Sequence, residues 1–438
     1  MKMLPALLAL FLLAGGVCMA EIELSGEANA AIDVFPAFPY TSGRFDSPIN
    51  PGNLAGIRDL NLDTDVTFRL QAVEQTGAWN LWLALDPYRM SRVLLAAASG
   101  DPVQEEAVGA SLLSSDPAAL SILRAEIAWY IGPSLVLRLG RQSMLTGYGY
   151  GWNPMDFAGT VKDLFDPEAE LKGVDALSLQ LYAGNAISVK LAGILRGDIL
   201  RSDPLIAGAD YADIQAAAEL TASFPLLELK LSGYYDSDDA AGEDAFVPAL
   251  GAGFMLDLAG VGLYGEGALL WGGRVPAPVG VSVIQRPGEL LLSGLFGVEY
   301  TFASELHLIA EYFYNGQGYS LEERQLYADS LEDQFATWSY IPGEYAAMYR
   351  PGYFAKHYLL LHLGYPIYPW NTNLELSAYY SPDSGALGVM PRLELEISGS
   401  LSARAAYTGL FSLQADRYDE VGLSPFRHMI ELGMTYFF

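Results

Sequence analysis

Leu226-Leu227-Glu228-Leu229-Lys230-Leu231-Ser232-Gly233-Tyr234 decides how the rest of the chain is read. In an extended backbone Leu227, Leu229 and Leu231 fall on one side and Glu228, Lys230 and Ser232 on the other, because successive strand side chains point to opposite faces. A helical period of 3.6 would mix the two sets. The same dyad runs through Asp63–Gln71, Leu123–Trp129, Ile187–Arg196, Leu393–Ile397 and Met429–Phe438.

Composition narrows what such strands can build. The chain has 438 residues, 24 basic and 52 acidic side chains and a net charge of −28, yet 51% of it is apolar and 12% aromatic. Disordered acidic chains are poor in apolar and aromatic residues, so disorder is excluded. The charge repels phosphate and there is no basic run, so nucleic acid is not an expected partner. One cysteine supports neither a disulfide framework nor a cysteine metal site.

Residues 1–20 read as a targeting segment. Lys2 is a short positive region, Leu4 to Val17 an apolar one, and Cys18-Met19-Ala20 a small-x-small cleavage site before Glu21. Lipoprotein processing at Cys18 is the alternative, although Val17 is a poor fit to it. After this leader no run of about 18 apolar residues exists, so no transmembrane helix is expected.

Eighteen strands are read near 21–35, 60–74, 77–87, 121–131, 134–145, 174–183, 186–196, 211–223, 226–236, 246–258, 261–272, 288–302, 305–316, 353–365, 370–381, 386–398, 401–411 and 425–438. Short turns such as Gly132-Pro133, Gly184-Asn185, Ala259-Gly260 and Gly399-Ser400 alternate with longer loops at 36–59, 88–120, 146–173, 273–287, 317–352 and 412–424. This is the pattern of an all-β fold: one transmembrane antiparallel β-barrel over 21–438, of about 18 strands with 16 the alternative count. A membrane sheet has to close, because an open edge leaves backbone groups unpaired in hydrocarbon. Aromatics sit at both strand ends. Trp129, Tyr182, Phe224, Tyr300, Phe302, Tyr365, Tyr368, Trp370 and Phe438 lie beside short turns; Tyr88, Tyr234, Tyr235, Trp271, Tyr312, Tyr314, Tyr379, Tyr380 and Phe411 lie beside long loops. Two such belts mark two membrane interfaces.

The last strand, ending in Tyr436-Phe437-Phe438, resembles the C-terminal strand of bacterial outer-membrane barrels. That resemblance makes Tyr436 and Phe438 the expected insertion signal, with the barrel-insertion machinery as a partner and the outer membrane, its lipid and lipopolysaccharide, as the location. A second resemblance lies at Arg138-Leu139-Gly140-Arg141-Gln142, Gly147-Tyr148-Gly149-Tyr150-Gly151-Trp152-Asn153-Pro154-Met155-Asp156 and Gly173-Val174-Asp175-Ala176-Leu177. These segments are similar to the alginate-export and porin-like barrels. The likeness implies a passive or weakly selective channel with a charged lumen and inward-folding loops.

Alternation assigns the lumen face. Its pore-lining candidates are Arg69, Arg124, Glu126, Arg138, Gln142, Lys190, Glu228, Lys230, Glu311, Arg392, Glu394 and Arg404, joined by Asp63, Asp65, Arg196, Asp213, Glu219, Glu266, Glu299, Lys356, Glu375, Glu396, Arg427 and Glu431. A lipid-facing Arg or Lys at mid-depth costs about 2–4 kcal/mol, which sends these groups inward. Arg124, Glu126 and Arg138 form either a solute-orienting rung or plain cross-strand charge pairing, and the latter is the simpler expectation. Arg141 falls on the leucine face, above the membrane or displaced by a bulge. Acids outnumber bases on this wall, so a mixed or mildly cation-preferring pore for small hydrophilic solutes is expected rather than a polyanion path. Loops 88–120 and 317–352 are long enough to fold inward, and Leu94–Ser99 could form a short helix.

Other chemistry is weakly signalled. Asp236–Asp244 is acidic but lacks the spacing of a 12-residue calcium loop, so a solvated loop is expected and no metal. Gly147–Gly151 has no following Gly-Lys-Ser/Thr, so it reads as a tight turn near the mouth rather than a phosphate cradle. His307 and His362 face inward, His357 and His428 the apolar side. No catalytic set converges in the sequence, and neither catalysis nor a cofactor is expected. The rival readings are a polysaccharide export channel and a closed barrel with an adhesive or structural role.

Overall fold

A computed structural model describes residues 21–36, 45–54, 56–74, 76–87, 120–159, 161–195, 214–238, 245–246, 248–279, 282–339, 341, 345, 348–414 and 418–438. The leader, most of loop 88–120 with Tyr88 and Leu94–Ser99, Arg196, Asp213 and residues 239–244 of the acidic stretch lie outside the described residues.

Among the described residues, strands run in chain order as β1 (Glu21–Val34), β2 (Leu60–Glu74), β3 (Gly77–Leu85), β4 (Leu120–Ile131), β5 (Leu135–Gln142), β6 (Val174–Ala183), β7 (Ile187–Leu195), β8 (Ile214–Ser223) and β9 (Leu227–Tyr235). A small hairpin of β10 (Ser237–Asp238) and β11 (Ala245–Phe246) interrupts the series. It continues as β12 (Ala249–Leu258), β13 (Val261–Val279), β14 (Ser282–Thr301), β15 (His307–Tyr314), β16 (His357–Ile367), β17 (Thr372–Tyr380), β18 (Ala386–Ser398), β19 (Leu401–Ser412) and β20 (His428–Phe437). Without the small hairpin these form one 18-stranded antiparallel sheet, and β1 pairs with both β2 and β20, which closes it into a barrel. No helix among the described residues is long and apolar enough to cross a membrane.

Alternation sorts the faces as the sequence implies. Leu24 is 65% and Leu231 54% exposed on the outside, whereas Glu311, Tyr358 and Tyr379 turn inward and are buried. Short turns carry the backbone back with little chain. Ala259 and Gly260 both have positive φ (55° and 87°), the geometry that matches the twist of a two-residue hairpin, and the Gly260 N–H donates to Asp257 Oδ1 at 3.0 Å. At the seam Gly26 and Phe438 exchange backbone hydrogen bonds of 3.0 Å in both directions. The Phe438 ring lies over the Gly26 Cα, where a Cβ would meet it at 2.5 Å, and packs edge-on against Phe68 of β2 at 5.7 Å.

Three expectations are corrected. Residues 273–279 and 282–287 are not loop: β13 and β14 continue through them as a ribbon, with register irregularities at Trp271/Gly273 and Gly273/Ala277. Its Pro276 and Pro278 lack N–H donors, which a two-stranded ribbon with free edges tolerates better than a central strand. Within 317–352 an unforeseen helix forms, α1 (Leu321–Trp338). Ser320 caps it, accepting from Glu323 N–H while the Glu323 carboxylate accepts from Ser320 N–H at 2.7 Å. Its buried stripe of Arg324, Tyr327, Ala328 and Leu331 has helical spacing. Finally, Tyr234 and Tyr379, assigned to the outer aromatic belt, point inward and are buried, because each neighbours an outward tyrosine on a two-residue period.

Candidate functional site

The barrel interior is crossed by the segment between β5 and β6, residues 143–173. It leaves the wall after Gln142, which is 1% exposed; its side-chain amide donates to Ala176 O at 2.9 Å and its carbonyl accepts from Ser178 Oγ. The segment then runs inward through Gly147-Tyr148-Gly149-Tyr150-Gly151. Two wall glutamates take hold of this backbone. Glu266 of β13 accepts from the N–H groups of Tyr148 and Gly149, the latter at 2.8 Å. Glu311 of β15 accepts from those of Tyr150 and Gly151, the latter at 2.9 Å, and from the Tyr264 hydroxyl at 2.7 Å. From the other side Lys162 Nζ donates to the carbonyls of Gly149 and Tyr150 at 2.7 and 2.9 Å. The glycines permit the approach. A Cβ on Gly147, whose φ is 132°, would lie 2.8 Å from Glu266 Oε1, and one on Gly149 would lie 1.9 Å from Trp152 O. Gly147–Gly151 is therefore an anion cradle and not a tight turn at the mouth, and the anions it holds are the wall's own carboxylates.

Aromatic packing completes the attachment. Trp152 is fully buried, stacked on Phe313 at 5.2 Å, and its indole N–H donates to Gly352 O at 2.9 Å. Tyr148 donates to Glu228 at 2.9 Å, and Lys230 Nζ sits 4.7 Å over the Tyr148 ring. Thr146 donates to Glu219 at 2.9 Å. Burial pushes the Asp156 carboxyl up to about 7 even though the Gly159 N–H favours its charged form. Burial also pulls Lys162 down, against the charges of Glu311, Glu266 and Asp156.

The other end of the segment reaches two more wall residues. Asp166 lies 3.0 Å from Arg392 of β18, which also lies 3.9 Å from Glu375, and Glu170 pairs with Arg124 of β4. Arg124 also stands 5.6 Å from the Trp82 ring of β3, and Arg69 of β2 stands 5.4 Å from the same ring. The register sets Arg69 and Arg124 on the two strands flanking Trp82. Arg138 donates to Gln180 at 2.9 Å, and Lys190 stands opposite Glu219. Glu126 stands opposite Asn80 and Gly140, so the rung expected of Arg124, Glu126 and Arg138 is not built: both arginines turn to other partners. Arg404 pairs with Glu431 at 2.5 Å and stands opposite Glu394, which is exposed. Of the lumen candidates, Gln142, Glu266 and Glu311 are buried against protein. Arg141 is buried as well; it holds Asp175 in a two-pronged pair at 3.1 and 2.8 Å.

The histidines find polar partners. His362 Nδ1 is 2.9 Å from Ser377 Oγ and 3.3 Å from the Tyr150 hydroxyl. His362 and Ser377 are direct cross-strand neighbours of β16 and β17. His307 Nε2 contacts Glu299 at 3.0 Å, while His357 and His428 contact Tyr312 and Tyr407 on the outer face at 2.8 and 2.6 Å.

No protein-family model matches this sequence, and no curated protein does. Solved porins are among the structures it is similar to. A mutant of Rh. blastica porin is 11% identical over 95% of this chain and 100% of its own, with a TM-score of 0.45. Salmonella typhi OmpF, in a complex with daunomycin, is 11% identical over 96% of this chain and 100% of its own, with a TM-score of 0.46.

Sequence alternation reached the wall but not the segment docked on it. Lys162, Asp166, Glu170 and Trp152 lie in irregular backbone, where no period announces a direction. The one local signal was the Gly-x-Gly-x-Gly run, whose close backbone approach requires a partner surface.

Proposed function

We propose that the protein is a porin-like channel of the outer membrane through which small hydrophilic solutes diffuse. The observation that carries this reading is the docked segment 143–173. It narrows an 18-stranded closed barrel from inside without detaching from the wall, and leaves Arg69, Arg124, Arg138 and Lys190 along one side of the interior. Support for a membrane setting comes from the leucines of the outer face, which a soluble protein would bury. Residues 1–20 would serve as the export leader, and Tyr436 and Phe438 as the signal read by the insertion machinery. Lipid and lipopolysaccharide are the surroundings such a surface fits.

Charge along the path is mixed in this reading. Asp63 and Asp65 line β2 towards the loop end, and Arg69 and Arg138 follow nearer the short turns. The row of bases is also what a polyanion would use, and it is the feature that favours the alginate-export alternative. Planar-bilayer recording decides between them. Discrete conductance steps with a reversal potential near zero in a salt gradient are expected. Absence of conductance would leave a closed structural or adhesive barrel, and strong anion selectivity would leave the exporter.

A further inference from the structure

Two packed clusters meet at one carboxyl group. The cluster inside the barrel contains Trp152, Leu164, Phe313, Tyr358 and Tyr379. The cluster above it forms a cap from Tyr319, Tyr327, Leu331, Phe354 and residues of neighbouring loops. Between them runs a short helix, α2 (Glu420–Leu423), whose Val421 belongs to the inner cluster and Leu423 to the cap. Glu420, at its start, is 1% exposed. Its Oε2 accepts from the Gly352 N–H at 2.9 Å and its Oε1 from the Tyr358 hydroxyl. The same Gly352 gives its carbonyl to the Trp152 indole at 2.9 Å. One glycine thus ties Glu420 to the segment that narrows the barrel.

Burial outweighs everything that favours an ionised Glu420: the N–H groups of Gly352 and Ala355, the Tyr358 hydroxyl and a nearby cation. Arg324 of α1 is the nearby cation, and its guanidinium is shared with Asp383, whose carbonyl it reaches at 2.9 Å and whose carboxylate lies 3.9 Å away. Asp419 is the adjoining acid, bound by Ser412 and the Gly422 N–H. The remaining neighbours are the hydroxyls of Tyr358 of β16, Tyr379 of β17 and Tyr349 of the cap loop, and Tyr349 donates to Glu420 O at 2.8 Å. Burial pushes the carboxyl up to about 7 from an ordinary 4.5.

We propose that Glu420 is a proton-operated latch that seats the cap, and through Gly352 the inner segment, when its carboxyl is protonated. The sign follows from linkage. The seated site prefers the proton and the unseated, watered carboxyl gives it up at its ordinary value. Seating is therefore at full strength below 4.5, weakens as pH rises from there to about 7, and is constant above that.

Hydrogen exchange on the full-length barrel in micelles tests this without relying on the channel reading. After correction for intrinsic exchange, protection of the Gly352 and Ala355 amides is expected to fall about tenfold or more between about pH 5 and about pH 8. Glu420→Gln should hold protection high at both, and Asp156→Asn should keep the wild-type profile. A flat wild-type profile overturns the latch, as does a sloping profile that Glu420→Gln retains or that Asp156→Asn abolishes. Should Glu420→Gln fail to assemble, the wild-type and Asp156→Asn profiles still decide. Bilayer conductance of the wild type, read alongside, is expected to rise over the same pH range. Loss of protection in a barrel that never conducts would keep the latch and remove the channel.

Discussion

The inner wall has two sides that obey the same alternation and end in different states. Midway along β13 to β16 inward residues are covered: Glu266 and Glu311 are bonded by backbone N–H groups, and Phe313, Tyr358 and Leu360 pack against Trp152 and Leu164. On β2 to β7 the inward residues Arg69, Arg124 and Arg138 have aromatic, amide or loop partners, Lys190 stands opposite Glu219, and all four keep part of their surface exposed. Register dictates that a side chain turns inward; what meets it there depends on a segment distant in sequence. The acidic surplus of the interior is thus smaller than a count of inward residues suggests, because its most buried carboxylates face protein.

The largest expected effect comes from breaking the covered side. A hydrogen bond to a charged group contributes about 1.5–3 kcal/mol, and Glu266 and Glu311 together hold several. Glu266→Gln with Glu311→Gln keeps the shape and removes the charge. The double variant should release residues 147–155, raise unit conductance in planar bilayers and lower the temperature at which the barrel loses its compact form on electrophoresis. Unchanged conductance in a folded double variant would mean that the segment does not set the width.

Trp152→Ala is next. Truncating a fully buried tryptophan costs about 3–5 kcal/mol. Here the loss falls on docking of the segment rather than on the hydrogen-bonded sheet, since Trp152 is held by Phe313 and the Gly352 carbonyl. Faster exchange at Gly149 and Gly151 with an intact barrel is the expected result. Loss of the barrel itself would show that the two sides are not separable.

Asp156→Asn should act in the opposite direction and more weakly. Its carboxyl is held up at about 7 by burial against an ordinary 3.8, so the docked segment prefers it neutral. The packing of residues 156–159 is tightest below 3.8 and loosens as pH rises to about 7. The amide stays neutral throughout, so the amides of residues 156–159 should be better protected in the variant than in wild type at about pH 8 and equal at about pH 4, with Gly352 and Ala355 unchanged. Equal protection at both would place Asp156 in contact with water.

How much of this was legible follows the same division. Strand number, order and facing were readable because Leu227, Leu229 and Leu231 against Glu228, Lys230 and Ser232 encode direction within a few residues, and turns such as Ala259-Gly260 encode where to reverse. The ribbon over 273–279 and 282–287 was hidden by its prolines, and α1 was announced only by the Ser320–Glu323 capping pair. The partners of Glu311 and Arg124 were not readable at all: Gly151 and Glu170 lie 160 and 46 residues away, in backbone with no period. Arg69 beside Trp82 depended on a pairing of β2 with β3 whose register could be guessed, but the ring contact could not.

The smallest effect belongs to the open side and tests its role most directly. Among the described residues Arg69 and Arg138 make no contact that holds the docked segment: one stands against Trp82 and the other donates to Gln180. Both are half-buried and neither makes an ion pair among the described residues, so Arg69→Gln and Arg138→Gln should leave electrophoretic behaviour and exchange protection nearly unchanged, within about 1 kcal/mol each. Removing a positive charge from a low-dielectric wall lowers the local concentration of anions. Each variant should therefore move the reversal potential in a salt gradient towards cation preference, the double variant more than either, with the shift shrinking as ionic strength rises and screening shortens. A shift of the same size from Lys162→Met, which lies on the covered side under Gly149 and Tyr150, would erase the distinction between the two walls.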